Sequence, residues 1–357
     1  MSTVGAVDVG VDAAAITVPP RPPRTSVARV VVGLALFAFV LLALPVLLSG
    51  YWLLISTGVV IYSILTLGLG LLIGRVGMVS LCQFVLLAVG AWVALRLDFA
   101  TSLPFPVLVL LAGVVTAAIG TLIGLPALRM SGLHLALITL MAAGALTVVL
   151  RILQFPNGGG GFSGNSSAGG ATTQLPRPSL AQGDVAYFRY CVIVAALMFL
   201  LAIWQVGNRV GRAWAAIRQS QVTAVAAGVH TTFYKLWAFS LASFMAGIAG
   251  GLLAAATGGV NINQFPPQSS ILLLAVVLMG GVYKIWGAVV AALLLRLLPA
   301  LLDSWGVPTE FLTILFGIGI LQVLLTAPGG LVEQVPRDLA NLGRKIGGLF
   351  SRKGAPT

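Results

Sequence analysis

This sequence of 357 residues has very few charged side chains, and acidic ones are the scarcest. Only 8% of the residues are charged, whereas 59% are hydrophobic and the mean hydropathy is +1.07. A soluble domain of this size needs more charge to cover its surface, so the composition excludes that class and predicts a polytopic membrane protein. The net charge of +12 comes from cations at the ends of apolar runs, which indicates membrane topology rather than nucleic-acid binding.

Residues that bind metals or form disulfides are also rare. The two cysteines, Cys82 and Cys191, lie in apolar runs without CxxC or Cys/His spacing, so we predict small buried side chains. His134 and His230 are too far apart in the sequence to suggest a metal site. We therefore expect neither a metal centre nor a cofactor bound by this chain.

Motifs for catalysis and for energy conversion are missing. The sequence has no GxxxxGK[ST], HExxH or GxSxG motif, so we expect neither ATP binding by this chain nor catalytic residues. The predicted spans contain no Asp or Glu, which argues against an ion-coupled carrier and against an intramembrane enzyme. Backbone carbonyls can bind Na⁺, so a secondary transporter stays a less favoured alternative. A transporter without its own energy source is expected to receive energy from a partner.

Ten apolar runs predict an all-α polytopic membrane bundle of about ten transmembrane helices, because most approach the roughly 20 residues that span a bilayer. The long stretch Gln268–Leu302 is interrupted by Gly280-Gly281 and Lys284, and predicts two crossings joined by a tight turn. The runs are Val30–Leu48, Tyr51–Ile73, Met78–Leu95, Pro104–Ala127, Leu133–Leu150, Tyr190–Val206, Leu236–Ala256, Gln268–Val282, Ile285–Leu302 and Phe311–Leu325.

The positive-inside rule places both termini in the cytoplasm, because nine spans would leave the basic carboxyl tail outside. With ten spans, 15 of the 20 cations lie inside: Arg21, Arg24, Arg29, Arg75, Arg129, Arg209, Arg212, Arg218, Lys235, Lys284, Arg337, Arg344, Lys345, Arg352 and Lys353. The resulting domains are a disordered tail (1–29), a transmembrane domain (30–331) and a basic cytoplasmic tail (332–357). The external segment 154–189, rich in Gly and Ser, is either a plain linker or a mouth that touches an outer partner.

A polar segment, Gly207–Lys235, carries four cations and no acid between two apolar runs. Helix formers from Gly211 to Ala227, ended by Gly228, predict a short cytoplasmic coupling helix that inserts into a motor subunit. Trp214, Ile217 and Val225 are predicted to face inward, with the polar positions Arg212, Gln219, Ser220 and Thr223 on the opposite face. The alternative is a solvated basic loop that only fixes topology.

Several residues inside the spans are candidates for a translocation path or for helix packing. Ser80, Gln83, Thr139 and Ser270 need a partner or a water-lined cavity, so they either line a path or bridge helices. Gly247, Gly250 and Gly251 allow close helix approach, and packing is favoured over gating for them. Arg296 is expected to snorkel or to pair with a carbonyl, with attraction of a substrate carboxylate as a secondary possibility.

The run Gly211–Ala254 resembles the coupling loop and following helix of LivM-type permeases, which are membrane subunits of branched-chain amino-acid ABC importers. Further stretches agree in order and spacing, and the resemblance extends from Tyr51 to Leu331. They are Gly74–Gln83, Gly90-Ala91, Leu128–Leu140, Asn157-Gly158, Ser270–Gly281 and Pro328–Leu331. The Leu128–Leu140 stretch looks more like LivM than like its partner permease, LivH.

The resemblance implies a permease subunit in the bacterial inner membrane, with two ATPase subunits, a LivH-like second permease and an external binding protein as partners. Surrounding lipid is expected, and ATP and Mg²⁺ belong to the partner subunits. The implied cargo is branched-chain or related amino acids, and urea, short amides or aromatic acids are the alternatives.

The resemblance also implies roles for particular residues. Contact with the ATPase is assigned to Arg212, Ala215, Ile217, Arg218, Ala224 and Gly228. Gly280 and Gly281 join the glycines above as candidates for packing or gating. Two departures from the family pattern stand out: Gln219 and Gln221 replace an acid usual in this loop, and Tyr283-Lys284 replaces small residues after the double glycine.

Overall fold

The computed structural model describes residues 39–101, 103–127, 132–152, 175–178, 181–258, 262–306, 314 and 317–319, and these are helices, turns and loops without a strand. The predicted tails, most of the external segment and the Pro328–Leu331 motif lie outside these ranges. The helices are α1 Leu44–Leu47, α2 Gly50–Leu71, α3 Gln83–Ala100, α4 Phe105–Ala127, α5 Leu133–Ile152, α6 Asp184–Gly207, α7 Arg209–Gln219, α8 Gln221–Ala226, α9 Thr231–Thr257, α10 Ser269–Gly280 and α11 Gly287–Ser304.

Seven of the described helices are long and apolar enough to cross a membrane: α2, α3, α4, α5, α6, α9 and α11. The exception among the predicted spans is α10, whose 12 residues rise about 18 Å at about 1.5 Å per residue. That length is well short of a hydrocarbon core of about 30 Å. The all-α polytopic bundle is confirmed, while the count of ten spans stays a prediction because about half of the first run and most of the last run lie outside the described residues.

Helix α9 forms the centre of the bundle and packs against α2, α3 and α4. These contacts bury most of α2, α3 and α9, whereas in α4, α5, α6 and α11 fewer than half of the residues of the most apolar stretch are fully buried. In a membrane protein such exposed apolar faces meet lipid or a partner subunit, since lipid is as apolar as the side chains themselves. The structured core therefore lies on the three central helices.

Small residues bring the backbones of α3, α4 and α9 together, as predicted for two of the three glycines. A Cβ on Gly250 would collide with the Leu87 carbonyl of α3, and one on Gly247 would meet Thr116 and the Ala112 carbonyl of α4. Gly251 differs, because a Cβ there has its nearest neighbour at 3.4 Å, an ordinary contact. Close packing therefore requires glycine at 247 and 250 but not at 251.

Helix α6 begins six residues before the apolar run Tyr190–Val206, so the last residues of the segment 154–189 are helical. Asp184 lies in the first turn, where the helix dipole favours an acid, and its carboxylate binds Arg177 at 2.6 Å. Sequence reasoning missed this first turn because residues 184 and 189 are charged, and a span predicted from hydropathy alone ends at the first charged residue.

The neighbouring glycines of α9 provide a test of this packing. Gly250→Ala should destabilise the fold by about 1–3 kcal/mol, because an extra methyl group is forced against the α3 backbone. Gly251→Ala is the matched control and should be close to neutral. Thermal unfolding of the purified protein measures both, and equal melting temperatures for the two variants would contradict this account.

Candidate coupling site and translocation path

The basic segment forms two short helices, and the prediction of one helix from Gly211 to Ala227 is wrong. Ser220 adopts an extended backbone conformation (φ −159°, ψ 121°) between α7 and α8. Its Oγ accepts a hydrogen bond from the Thr223 N–H at 3.3 Å and caps α8, a role for which serine is well suited. Gly228 has φ 79° and ends α8, as predicted. We call residues 209–228 the elbow.

One face of the elbow is fixed to the bundle. Trp214, Ile217 and Ala224 are buried, with 0, 3 and 2% of their surface exposed. The Trp214 Nε1–H also donates a hydrogen bond of 2.9 Å to the Tyr234 carbonyl in α9. Ile217 and Ala224, two of the residues assigned to ATPase contact, therefore support the elbow from within.

The opposite face of the elbow is open. The assigned residues Arg212, Ala215 and Gly228 are exposed. Val222 and Val225 are 82% and 59% exposed on the same turn of α8, so the prediction that Val225 faces inward is wrong. After the break at Ser220 a new helix begins, and its residues are rotated so that Ala224 faces the bundle. A capping serine followed by Thr223 was the sequence signal that could have revealed this register.

Arg218 joins the elbow to two other segments. Its Nη1 donates a hydrogen bond to the Gly74 carbonyl, which lies in a π-helical turn, Leu72–Val76, at the end of α2. Its guanidinium carbon lies 4.6 Å from the centre of the Tyr283 ring, a cation–π distance. Gly74 also lies so close to the Val282 carbonyl that any side chain at 74 would collide with it. We call this meeting of α7, the π turn and residues 281–286 the Arg218 junction.

The double glycine makes the predicted turn between α10 and α11, but α10 is shorter than the membrane crossing that was predicted for it. Gly281 has φ 105°, a conformation that disfavours side chains. Gly280 approaches the Gly287 carbonyl, where a Cβ would lie 2.5 Å from the oxygen. Tyr283 and Lys284 follow in the turn, are exposed, and line a cleft together with Arg75 of the π turn.

The four residues assigned to the translocation path are all buried. Ser80, Gln83, Thr139 and Ser270 expose 2, 0, 0 and 1% of their surface. The Leu81 N–H donates to the Thr139 Oγ1 at 3.0 Å, and the Ser80 Oγ lies 3.3 Å from the Cys82 Sγ. These contacts place Ser80 and Thr139 around the start of α3, where Gln83 is the first residue. A role in translocation stays a prediction.

Arg296 makes a contact that sequence reasoning missed. It lies near the middle of α11 and is exposed, and its guanidinium carbon lies 5.1 Å from the centre of the Tyr62 ring on α2. The absence of a side chain at Gly58 leaves room for this arrangement, since a Cβ there would lie 3.0 Å from the arginine Nε. The predicted snorkelling or carbonyl pairing of Arg296 stays a prediction beside this contact.

Comparison with known proteins gives a consistent result. Residues 51–324 match a family model described as branched-chain amino acid transport system / permease component. The high-affinity branched-chain amino acid transport system permease protein LivM of Salmonella typhimurium is 30% identical over 305 residues, which cover 80% of this chain and 71% of that protein. The protein of that name from Escherichia coli is 29% identical over 303 residues, with the same coverage. No solved structure gives a significant match.

Proposed function

The chain belongs to the family of branched-chain amino acid transport permeases, and we propose that it carries branched-chain or related amino acids across a bacterial inner membrane as one subunit of an ABC importer. It does no chemistry on the cargo. The observation that carries the proposal is the elbow, which is fixed to the bundle on one face and presents exposed valines on the other. ATP and Mg²⁺ are held by two partner ATPase subunits, and an external binding protein delivers the cargo.

The elbow is the docking site for an ATPase subunit. Val222 and Val225 form an apolar projection on the exposed face of the elbow, with Arg212 on the neighbouring helix. Buried apolar anchors of this kind contribute most of the binding energy at protein interfaces, and polar rims contribute less. Gln219 and Gln221 are exposed beside the valines, so the acid that is usual in the family is not needed for an apolar anchor.

The Arg218 junction transmits movement of the elbow into the bundle. It connects α7 with the end of α2 and with the turn between α10 and α11, which are distant in the sequence. Energetic coupling between distant sites requires such a physically connected element with two arrangements. When the ATPases close, the elbow and the turn at 281–286 move together, and α10 and α11 follow the turn.

The same junction supports the predicted orientation. Arg75, Arg218 and Lys284 come from three segments that sequence reasoning placed inside, and their segments meet at one end of the bundle. Concentration of cations at one end is what the positive-inside rule requires of a cytoplasmic face. We therefore infer that the elbow end of the bundle faces the cytoplasm, and the cytoplasmic location of both termini stays a prediction.

A second permease subunit covers the face of α11 that carries Arg296. Few residues of this helix are fully buried, Arg296 is exposed, and a cation near the middle of a span costs about 2.5–3.5 kcal/mol against lipid. The Tyr62 ring shields the guanidinium on one side only. Contact with a polar group of a second permease removes this cost, whereas the exposed faces of α4 and α6 are apolar and suit lipid.

Substitution of the exposed valine tests the docking site. Val222→Asp should weaken co-purification of the ATPase subunits by about tenfold or more, because an unpaired carboxylate is buried in the interface. Thr232→Asp, at the exposed start of α9, adds the same charge on the same end of the bundle and should retain the ATPases. Equal retention by both variants would place the docking site elsewhere.

Photo-cross-linking tests the face assigned to the second permease. A photo-reactive residue in place of Leu293, which is 37% exposed on α11, should cross-link to the second permease in the assembled complex. The same residue in place of Leu200, 62% exposed on α6, should react with lipid instead. Cross-linking to the permease from position 200 but not from 293 would contradict the assignment.

A further inference from the structure

Two helices of this bundle begin in its buried interior. Helix α10 ends at Gly280, beside the Arg218 junction, and its length of about 18 Å places Ser269 roughly halfway through a core of about 30 Å. Helix α3 follows a non-helical segment from Gly77 to Cys82, most of which is buried. Non-helical backbone is tolerated at this depth only where protein buries it or where it lines a cavity.

The starts of these two helices lie side by side. The ring of Phe84, the second residue of α3, is 5.7 Å from that of Phe265, which precedes α10, and α10 packs against α3. Helix α5 contacts both α3 and residues 262–264, and its Thr139 accepts the hydrogen bond from Leu81. Gln83, Thr139 and Ser270 therefore belong to one neighbourhood in the interior.

Two of these buried side chains have no hydrogen-bond partner among the described residues. Both the Oε1 and the Nε2 of Gln83 are unpaired, although the residue is fully buried, and so is the Oγ of Ser270, which is 1% exposed. A buried polar group without a partner costs about 1–3 kcal/mol, and most such groups in proteins are paired. A ligand that supplies acceptors to the Gln83 amide N–H₂ and the Ser270 hydroxyl would offset this cost.

The electrostatics of the site favour an anionic ligand. The residue before α3, Cys82, provides no side-chain cap, and its carbonyl accepts the Val85 and Leu86 N–H groups at 3.1 and 2.9 Å, so the Gln83 and Phe84 N–H groups keep their partial positive charge. At α10 the Ser269 and Ser270 N–H groups bond to the carbonyls of Pro266 and Pro267 at 3.0 Å, so this helix offers mainly the serine hydroxyl. An open helix start together with amide and hydroxyl donors is suited to a carboxylate.

We propose that the start of α3, with Gln83 and with Ser270 from α10, binds the carboxylate of the amino acid during transport. This inference rests on the function proposed above, because it assigns the part of the cargo that this site recognises. The aliphatic side chain of the cargo then lies against the surrounding apolar residues, which include Phe84 and Phe265.

The experiment measures uptake of radiolabelled leucine by the complete importer in proteoliposomes, with its binding protein and ATP. Gln83→Leu and Ser270→Ala should each lower uptake by about tenfold or more, as expected for loss of a hydrogen bond to a charged group. Thr116→Val is the matched control: its hydroxyl is also fully buried and unpaired, but it lies against Gly247 at the contact of α4 with α9. This variant should transport at the rate of the wild type.

Thermal unfolding separates a binding role from a structural one. Gln83→Leu replaces an unpaired buried amide with an apolar group of similar size, so the melting temperature should stay unchanged or rise while uptake falls. ATP hydrolysis stimulated by the loaded binding protein should persist in Ser270→Ala, which shows that assembly and docking are intact.

The possible failures are distinguishable. If the wild type takes up leucine and both variants transport as fast as Thr116→Val, the carboxylate site is refuted and the proposed function stands. If uptake falls only because the variants lose stability, as a lowered melting temperature would show, then Gln83 and Ser270 contribute to packing and the carboxylate site is also refuted. If the wild-type importer takes up no leucine, isoleucine or valine, the proposed function itself fails.

Discussion

The hydrogen bond from Arg218 to the Gly74 carbonyl is the interaction on which the proposed mechanism depends. The acceptor is available because α2 ends in a π turn, and the last carbonyls of a helix have no donors within that helix. The guanidinium is planar, so the same side chain also lies over the Tyr283 ring. One residue of the elbow thereby holds two segments of the bundle, and a movement of the elbow reaches both.

The breaks between helices determine which residues are placed to bind a partner or the cargo and which segments can move. The break at Ser220 turns two valines away from the bundle, and the tight turn at Gly281 brings Tyr283 to the Arg218 junction. Helix α10 extends from that junction to the interior, where its first residues lie beside the start of α3. A helix of 12 residues thus connects the Arg218 junction with the proposed carboxylate site. The regular spans around it, α4, α5 and α6, mainly provide the surface toward lipid.

The predictions from sequence succeeded where the signal is local. The long apolar runs predicted the helices. Gly228 predicted a helix end and the double glycine predicted a turn, because a helix end and a turn each depend on a few adjacent residues. The register of α8 was missed, since capping by Ser220 competes with a weak preference for continuing the helix. Contacts such as Arg218 with Gly74 join residues 144 positions apart, and no local pattern encodes them. The burial of Gln83 was predictable from its apolar neighbours, whereas its lack of a partner required the packed structure.

The central claim is that the elbow and the turn at 281–286 move as one body, and a pair of spin labels tests it directly. Gln219 and Lys284 are exposed on either side of Arg218, whereas the native Cys82 and Cys191 are buried, so cysteines at 219 and 284 can be labelled selectively. In the complete importer the label-to-label distance distribution should be the same without nucleotide and with trapped ATP, and Arg218→Ala should make it broader and dependent on nucleotide. A distance that changes with nucleotide while Arg218 is present would contradict the account.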